Sequence, residues 1–110
     1  MKWQIDFYSD VVYDDIMQWP NKIKSRFIWL VDLMKEHGAD LGMPHTRALG
    51  DGLFELRIKG QEGIGRAFFC YSVDRRIIIL HGFIKKTQKI PQKELTLAKE
   101  RLKEVKNYEL

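Results

Sequence analysis

The 110-residue chain has one cysteine, three histidines, three prolines and no long apolar run, and each shortage removes a class of protein. A lone cysteine cannot close an intrachain disulfide, so stability has to come from packing, and the expected compartment is the cytoplasm. Cys70 lies within Ala67-Phe68-Phe69-Cys70-Tyr71, a setting for a small buried thiol rather than a nucleophile. No segment approaches the roughly 20 apolar residues of a membrane span, and Met1-Lys2-Trp3-Gln4-Ile5-Asp6 lacks the apolar core of a signal peptide. A soluble, unexported protein with no membrane partner is the expectation. His37, His45 and His81 are far apart and no Cys/His cluster accompanies them, so neither a metal nor a cofactor is expected. Gly60-Gln61-Glu62-Gly63-Ile64-Gly65 has no Walker lysine and joins two strands rather than opening a helix, which makes it a turn. Without repeats, linkers or low-complexity tracts, residues 1–110 read as a single domain.

What is present is an ordinary folding composition with a basic bias. Hydrophobic residues make up 45%, enough for a core, and the formal charge is +4 with a pI near 9.2. Such a surface attracts anions, but the total does not choose among nucleic acid, an acidic membrane and an acidic protein.

Periodicity supplies the elements. Trp3, Ile5 and Phe7 alternate with polar residues as in a half-buried strand. Ser9-Asp10 can cap a short helix carrying Val12, Tyr13, Ile16 and Met17, which stops near Trp19-Pro20. From Asn21, the residues Ile23, Phe27, Leu30, Val31 and Met34 follow helical spacing, and Gly38 can end that helix. A loop punctuated by Gly42, Pro44, Gly50 and Gly52 leads to three strands over 53–59, 64–71 and 77–84, the last with an apolar run, Ile77 to Leu80, that reads as buried on both faces near the middle of the sheet. Pro91 suits the start of a final helix bearing Leu95, Ala98, Leu102 and Val105. The expected order is β-α-α-β-β-β-α, an α+β fold with a curved antiparallel sheet on two N-terminal helices and a C-terminal helix.

Strand register then gathers charge. A hairpin turning at Gln61-Glu62 places Arg57 opposite Arg66, and a turn at Asp74-Arg75 places Arg66 opposite Phe83, with His81 and Lys85 diagonal on the same face. Lys59 joins them, and the stretch from His81 to Lys93 adds Lys86 and Lys89 without an acidic residue. Arginines facing each other destabilise a sheet, and an anionic ligand would relieve them. Guanidinium and ammonium groups stabilise a phosphodiester passing to its pentacoordinate transition state, an imidazole moves protons, and Phe83 can stack on a base. The alternative is that Arg57 and Lys59 solvate an outer face while His81 bonds a neighbour.

Three blocks in order, Leu53-Phe54-Glu55-Leu56-Arg57-Ile58-Lys59, Gly65-Arg66-Ala67-Phe68-Phe69-Cys70-Tyr71 and His81-Gly82-Phe83-Ile84-Lys85-Lys86-Thr87, resemble the HigB-like, phage-derived branch of the RelE/ParE toxins. The resemblance spans nearly the whole chain. It implies a RelE-like fold, a cognate antitoxin commonly carrying a helix-turn-helix domain, and messenger RNA cleavage on the ribosome without a metal. Its basic residues fall on Arg57 and Lys59, its phosphate-stabilising arginine on Arg66 and its late basic pair on Lys85 and Lys86. Joined to the face read from strand register, this makes Arg57, Arg66, His81 and Lys86 the expected catalytic residues and Lys59, Phe83, Lys85 and Lys89 the expected RNA-binding residues. Some RNA-cleaving relatives place a tyrosine after the last basic pair, where this chain has Gln88-Lys89-Ile90-Pro91-Gln92, and His81 is the nearest substitute for proton transfer. ParE-like inhibition of DNA gyrase, and a homologue that binds antitoxin or nucleic acid without turnover, are the alternatives the superfamily leaves open.

Overall fold

The computed structural model describes residues 2–85 and 89–109. The elements run β1 (Gln4–Phe7), α1 (Asp10–Met17), α2 (Asn21–His37), β2 (Thr46–Gly50), β3 (Leu53–Gly60), β4 (Gly63–Tyr71), β5 (Arg76–Lys85) and α3 (Gln92–Glu109). Ser9 caps α1 from an extended backbone, its hydroxyl accepting from the Val12 amide at 3.3 Å, and only Val12 and Ile16 of that helix are buried. The helix ends at Met17, three residues before Pro20, which opens α2 as its N-cap. In α2 the buried residues are the five expected from the spacing, Ile23, Phe27, Leu30, Val31 and Met34, and Gly38 follows with a φ of 105°.

The strands form one sheet in the order β1-β5-β4-β3-β2. The α+β class and the three-helix layout are as expected, and two details differ. A fifth strand, β2, occupies part of the stretch read as loop, pairing with β3 through Thr46↔Leu56, Arg47↔Glu55 and Ala48↔Phe54. Its turn is Asp51-Gly52, both at positive φ (56° and 85°), the backbone of a two-residue hairpin that an Asp-Gly pair favours. The second difference is that β1 runs parallel to β5, with Ile5 beside Ile77 and Phe7 beside Ile79, so the sheet is mixed rather than wholly antiparallel. β5 is therefore interior, and β4 is the central strand. The run Ile77 to Leu80 is at most 5% exposed, as expected of a strand covered on both faces.

Each face has its own core. On one, α1 and α2 bury Ile16, Trp19, Ile23 and Phe27 against Leu56, Ile58, Ala67, Phe69, Ile77 and Ile79. This approach needs glycine in the sheet: a Cβ on Gly65 would lie 2.9 Å from both Trp19 and Ile23, and one on Gly82 would lie 2.7 Å from Ile16. On the other face, Ala98 and Leu102 of α3 pack on Leu53, Phe68, Cys70, Ile78 and Leu80. Cys70 is buried, as its apolar run implied. Fully burying a side chain such as Phe27 or Phe69 contributes about 1.5–3 kcal/mol, and these two clusters are the main stabilising term. No helix among the described residues is long and apolar enough to cross a membrane.

Candidate functional site

The face that carries α3 is only partly apolar. Three cross-strand rows lie on it: Glu55–Phe68–His81, Arg57–Arg66–Phe83 and Lys59–Ile64–Lys85. The Arg57–Arg66 and Arg66–Phe83 pairings are those inferred from the turns, although next to its own turn the second hairpin is one residue off that register, Tyr71 facing Ile77, and a bulge restores the alignment from Phe68 and His81 onward; Arg57, Arg66, His81, Phe83, Lys59 and Lys85 thus share one face.

The arginine pair does not wait for an outside anion. Glu55, fully buried two residues before Arg57, extends one carboxylate oxygen to Arg66 Nη1 at 2.9 Å. Its other oxygen lies 3.5 Å from Arg47 Nη2 and 3.8 Å from Arg57 Nε. Three guanidinium groups thus converge on one carboxylate, and the cluster keeps a positive sign. Arg66 is 1% exposed, Arg57 19% and Arg47 45%, so charge is graded from the interior to the open surface. A buried guanidinium is tolerable only with such a partner, because desolvating a charge costs several kcal/mol. Glu55 was absent from the site inferred from sequence, although strand alternation alone sets it on the face of Arg57.

His81 owes its position to a bulge. Phe68 pairs with His81 but Phe69 pairs with Ile79, leaving Leu80 as the extra residue, and the side-chain alternation of β5 shifts there. Leu80 therefore packs under α3 while His81, next in sequence, joins the same side beside Phe68 and Phe83, at ring separations of 6.4 and 5.7 Å. Its Nε2 meets Glu94 Oε2 of the first turn of α3 at 2.5 Å. The imidazole is 14% exposed, stacked and oriented by a carboxylate, an arrangement that fixes the ring and can move a proton. Glu94 stands one residue beyond the acid-free stretch of the sequence, which is why it was missed.

Lys59 and Lys85 are exposed at strand ends on either side of Ile64, and Lys89 is exposed ahead of α3. Lys86 lies outside the described residues. No group of three or more potential metal ligands occurs among the described residues. A cleft of about 530 Å³ lies at the Lys59–Ile64 end of this face, and another of about 460 Å³ beside α3 includes Tyr8, whose hydroxyl donates to Glu104.

A mixed five-stranded sheet between a helical hairpin and a C-terminal helix is the RelE fold, and in this chain the face under the C-terminal helix also carries the basic rows. Two solved structures share it. A chain of the archaeal RelE-RelB complex from Pyrococcus horikoshii OT3 aligns with a TM-score of 0.59 over 81% of this chain and 100% of its own, at 16% identity. The free E. coli toxin RelE, in a mutant with two arginines replaced by alanine, aligns with a TM-score of 0.58 over 92% of this chain and 98% of its own, at 11% identity. No curated protein sequence matches. The family model described as "Phage derived protein Gp49-like (DUF891)" matches residues 14–103, and the chain belongs to that family.

Proposed function

We propose that this chain is the toxin of a type II toxin-antitoxin system, of the HigB-like branch, and cleaves messenger RNA on the ribosome in the cytoplasm, with a cognate antitoxin, commonly one bearing a helix-turn-helix domain, as its inhibitor. The observation that carries the reading is the graded arginine cluster set one row from an imidazole held by a carboxylate. In the cleavage step, the ribose 2′-oxygen attacks the adjacent phosphorus, its proton passes to a base, the P–O5′ bond breaks, and the departing 5′-oxygen takes up a proton. The products are a 2′,3′-cyclic phosphate and a 5′-hydroxyl.

His81 serves as the proton carrier, kept in orientation by Glu94. Arg57, the more exposed of the central pair, stabilises the negative charge that grows on the phosphate, while buried Arg66 holds Glu55 and supplies positive potential from behind. Phe83 offers a ring for a splayed base, and Lys59, Lys85, Lys86 and Lys89 guide the backbone. A water-poor ribosomal site would strengthen each of these interactions.

Purified ribosomes programmed with a defined messenger test this reading. Wild-type protein should generate new 5′ ends inside the occupied codon, and His81→Ala should lose most of that cleavage while its melting curve stays close to wild type. Intact messengers with wild-type protein, accompanied in cells by DNA-damage signalling, would replace the reading with gyrase inhibition.

A further inference from the structure

We propose that Arg26, His45, Arg57 and Lys59 form a second phosphate-binding subsite, which holds a backbone phosphodiester of single-stranded RNA next to the one engaged on the open sheet face. This deepens the proposed function and rests on it for the identity of the ligand. The four residues, with Pro44, line a pocket of about 240 Å³ at the rim of the sheet, and no acidic residue lines it.

The pocket is built by three independent features of the fold. First, β2 starts at Thr46, so beyond Leu56 the outer edge of β3 is met only by the loop, through the Arg57 amide donating to His45 O at 2.8 Å. Second, that loop is knitted: the Thr46 hydroxyl, on a residue 2% exposed, donates to Asp40 at 2.9 Å, and Gly42 N donates to the same hydroxyl at 2.8 Å. The amides of His45 and Thr46 both donate to Gly42 O at 3.0 Å, which sets His45 in place. Third, α2 comes up tightly beneath this edge. A Cβ on Gly60 would lie 2.4 Å from Ile23, and Arg26, three residues further along α2, reaches the rim from the other side of the sheet.

Arg26 lies 6.0 Å over the exposed ring of Trp29, whose edge contacts His45 at a ring separation of 6.4 Å. Among the described residues, neither Arg26 nor Lys59 forms a salt bridge with a carboxylate. Arg26 and Lys59, brought to one rim without a carboxylate of their own, repel one another, and an anion relieves that repulsion while Arg57 keeps its contact with Glu55. Arg57 belongs both to this pocket and to the Glu55 cluster, which makes the two sites contiguous and suits consecutive phosphates of one strand. Trp29 adds a ring on which a flanking base can stack.

Fluorescence anisotropy of a labelled 12-nucleotide single-stranded RNA, titrated with the purified protein over a range of salt concentrations, tests the assignment. Arg26→Ala and Lys59→Ala should each weaken binding to every RNA sequence alike and flatten the slope of log affinity against log salt by about 0.7 per lost phosphate contact. Lys35→Ala, at the far end of α2, should leave the slope unchanged. Unchanged slopes for both pocket variants, or no RNA binding by the wild type, would overturn the subsite. Polyglutamate displacing the RNA only when Arg26 is present would also overturn it, by assigning the pocket to an acidic protein. Ribosomal messenger cleavage by the same preparations separates the two proposals: cleavage with unaltered pocket-variant binding removes the subsite alone, and pocket-dependent RNA binding without cleavage removes the nuclease reading alone.

Discussion

The two faces of the sheet are made by the same strands and solve different problems. From β3 and β4, Leu56, Ile58, Ala67 and Phe69 look toward α1 and α2, while Glu55, Arg57, Arg66 and Phe68 look the other way. The first face is apolar and closed by two helices. The second is apolar where Ala98 and Leu102 of α3 cover it and charged beyond, from buried Glu55 and Arg66 out to exposed Lys59 and Lys85. An α+β sheet needs one well-covered face to fold. The other can then carry buried charge, provided each charge brings its own partner.

The sharpest way to break that contrast is to damage each face once. Phe69→Ala empties a fully buried ring site on the helical side and should cost about 3–5 kcal/mol in urea unfolding. Glu55→Gln should cost a similar ~3–5 kcal/mol, because Arg66 would remain buried without its carboxylate. The difference lies in rescue. Replacing Glu55 and Arg66 together by Leu and Met should restore most of the stability, since a buried ion pair and an apolar pair of similar volume are nearly equivalent. A Glu55→Gln protein as stable as wild type would mean that the cluster is solvated and the two faces are not distinct in kind.

Next in size is a change that spares the fold. Arg57→Ala should lower messenger cleavage roughly 100- to 1000-fold, the usual effect of removing one group that stabilises developing charge. Its unfolding free energy should move far less than that of Glu55→Gln, because Arg57 is the outer and more exposed member of the pair. Equal losses of stability in the two variants would make Arg57 a structural residue like Glu55.

How much of this could be read from the sequence follows the same division. Local signals located the helices, the three long strands and the Arg57–Arg66 register, because turn chemistry and alternation act over a few residues. The parallel pairing of β1 with β5 escaped, since it joins Gln4 to Arg76 across the chain and no turn encodes it. β2 escaped for a different reason: it has only five residues, and the Asp51-Gly52 hairpin signal was hidden among the loop glycines. At the site, the basic residues stood out as a pattern, whereas their carboxylate partners did not. Glu55 looked like an ordinary alternating polar residue, and Glu94 belongs to a helix that packing brings to His81. The bulge at Leu80 has no glycine or proline to announce it, and it alone sets His81 on the working face.

A smaller effect probes the helical side, where α1 must dock for the first face to close. Ser9→Ala removes the side-chain acceptor of the Val12 amide and should cost about 1 kcal/mol in thermal or urea unfolding. Ser9→Gly should cost only a few tenths, which separates a lost cap from any other defect. Neither change should alter cleavage by the folded protein, because α1 touches the sheet on the opposite side from His81. A Ser9→Ala variant with normal stability and reduced cleavage would show that the faces communicate.

The smallest expected effect lies at the margin of the α3 face. The Tyr8 hydroxyl donates to Glu104 at 2.5 Å, and this hydrogen bond raises the phenol above its usual pKa of 10.0, with desolvation and the Glu104 charge adding to the shift and the Arg101 guanidinium, 4.8 Å over the ring, opposing it. A group whose pKa is raised by folding holds its proton longer in the native state than in the unfolded chain. The stability it contributes is therefore complete below about pH 10 and declines as pH climbs through the native pKa. Urea unfolding from pH 8 to pH 11 should show wild type losing stability faster than Tyr8→Phe above pH 10, with parallel curves below it. Parallel curves over the whole range would mean that the contact with Glu104 breaks in solution and adds nothing to the docking of α3.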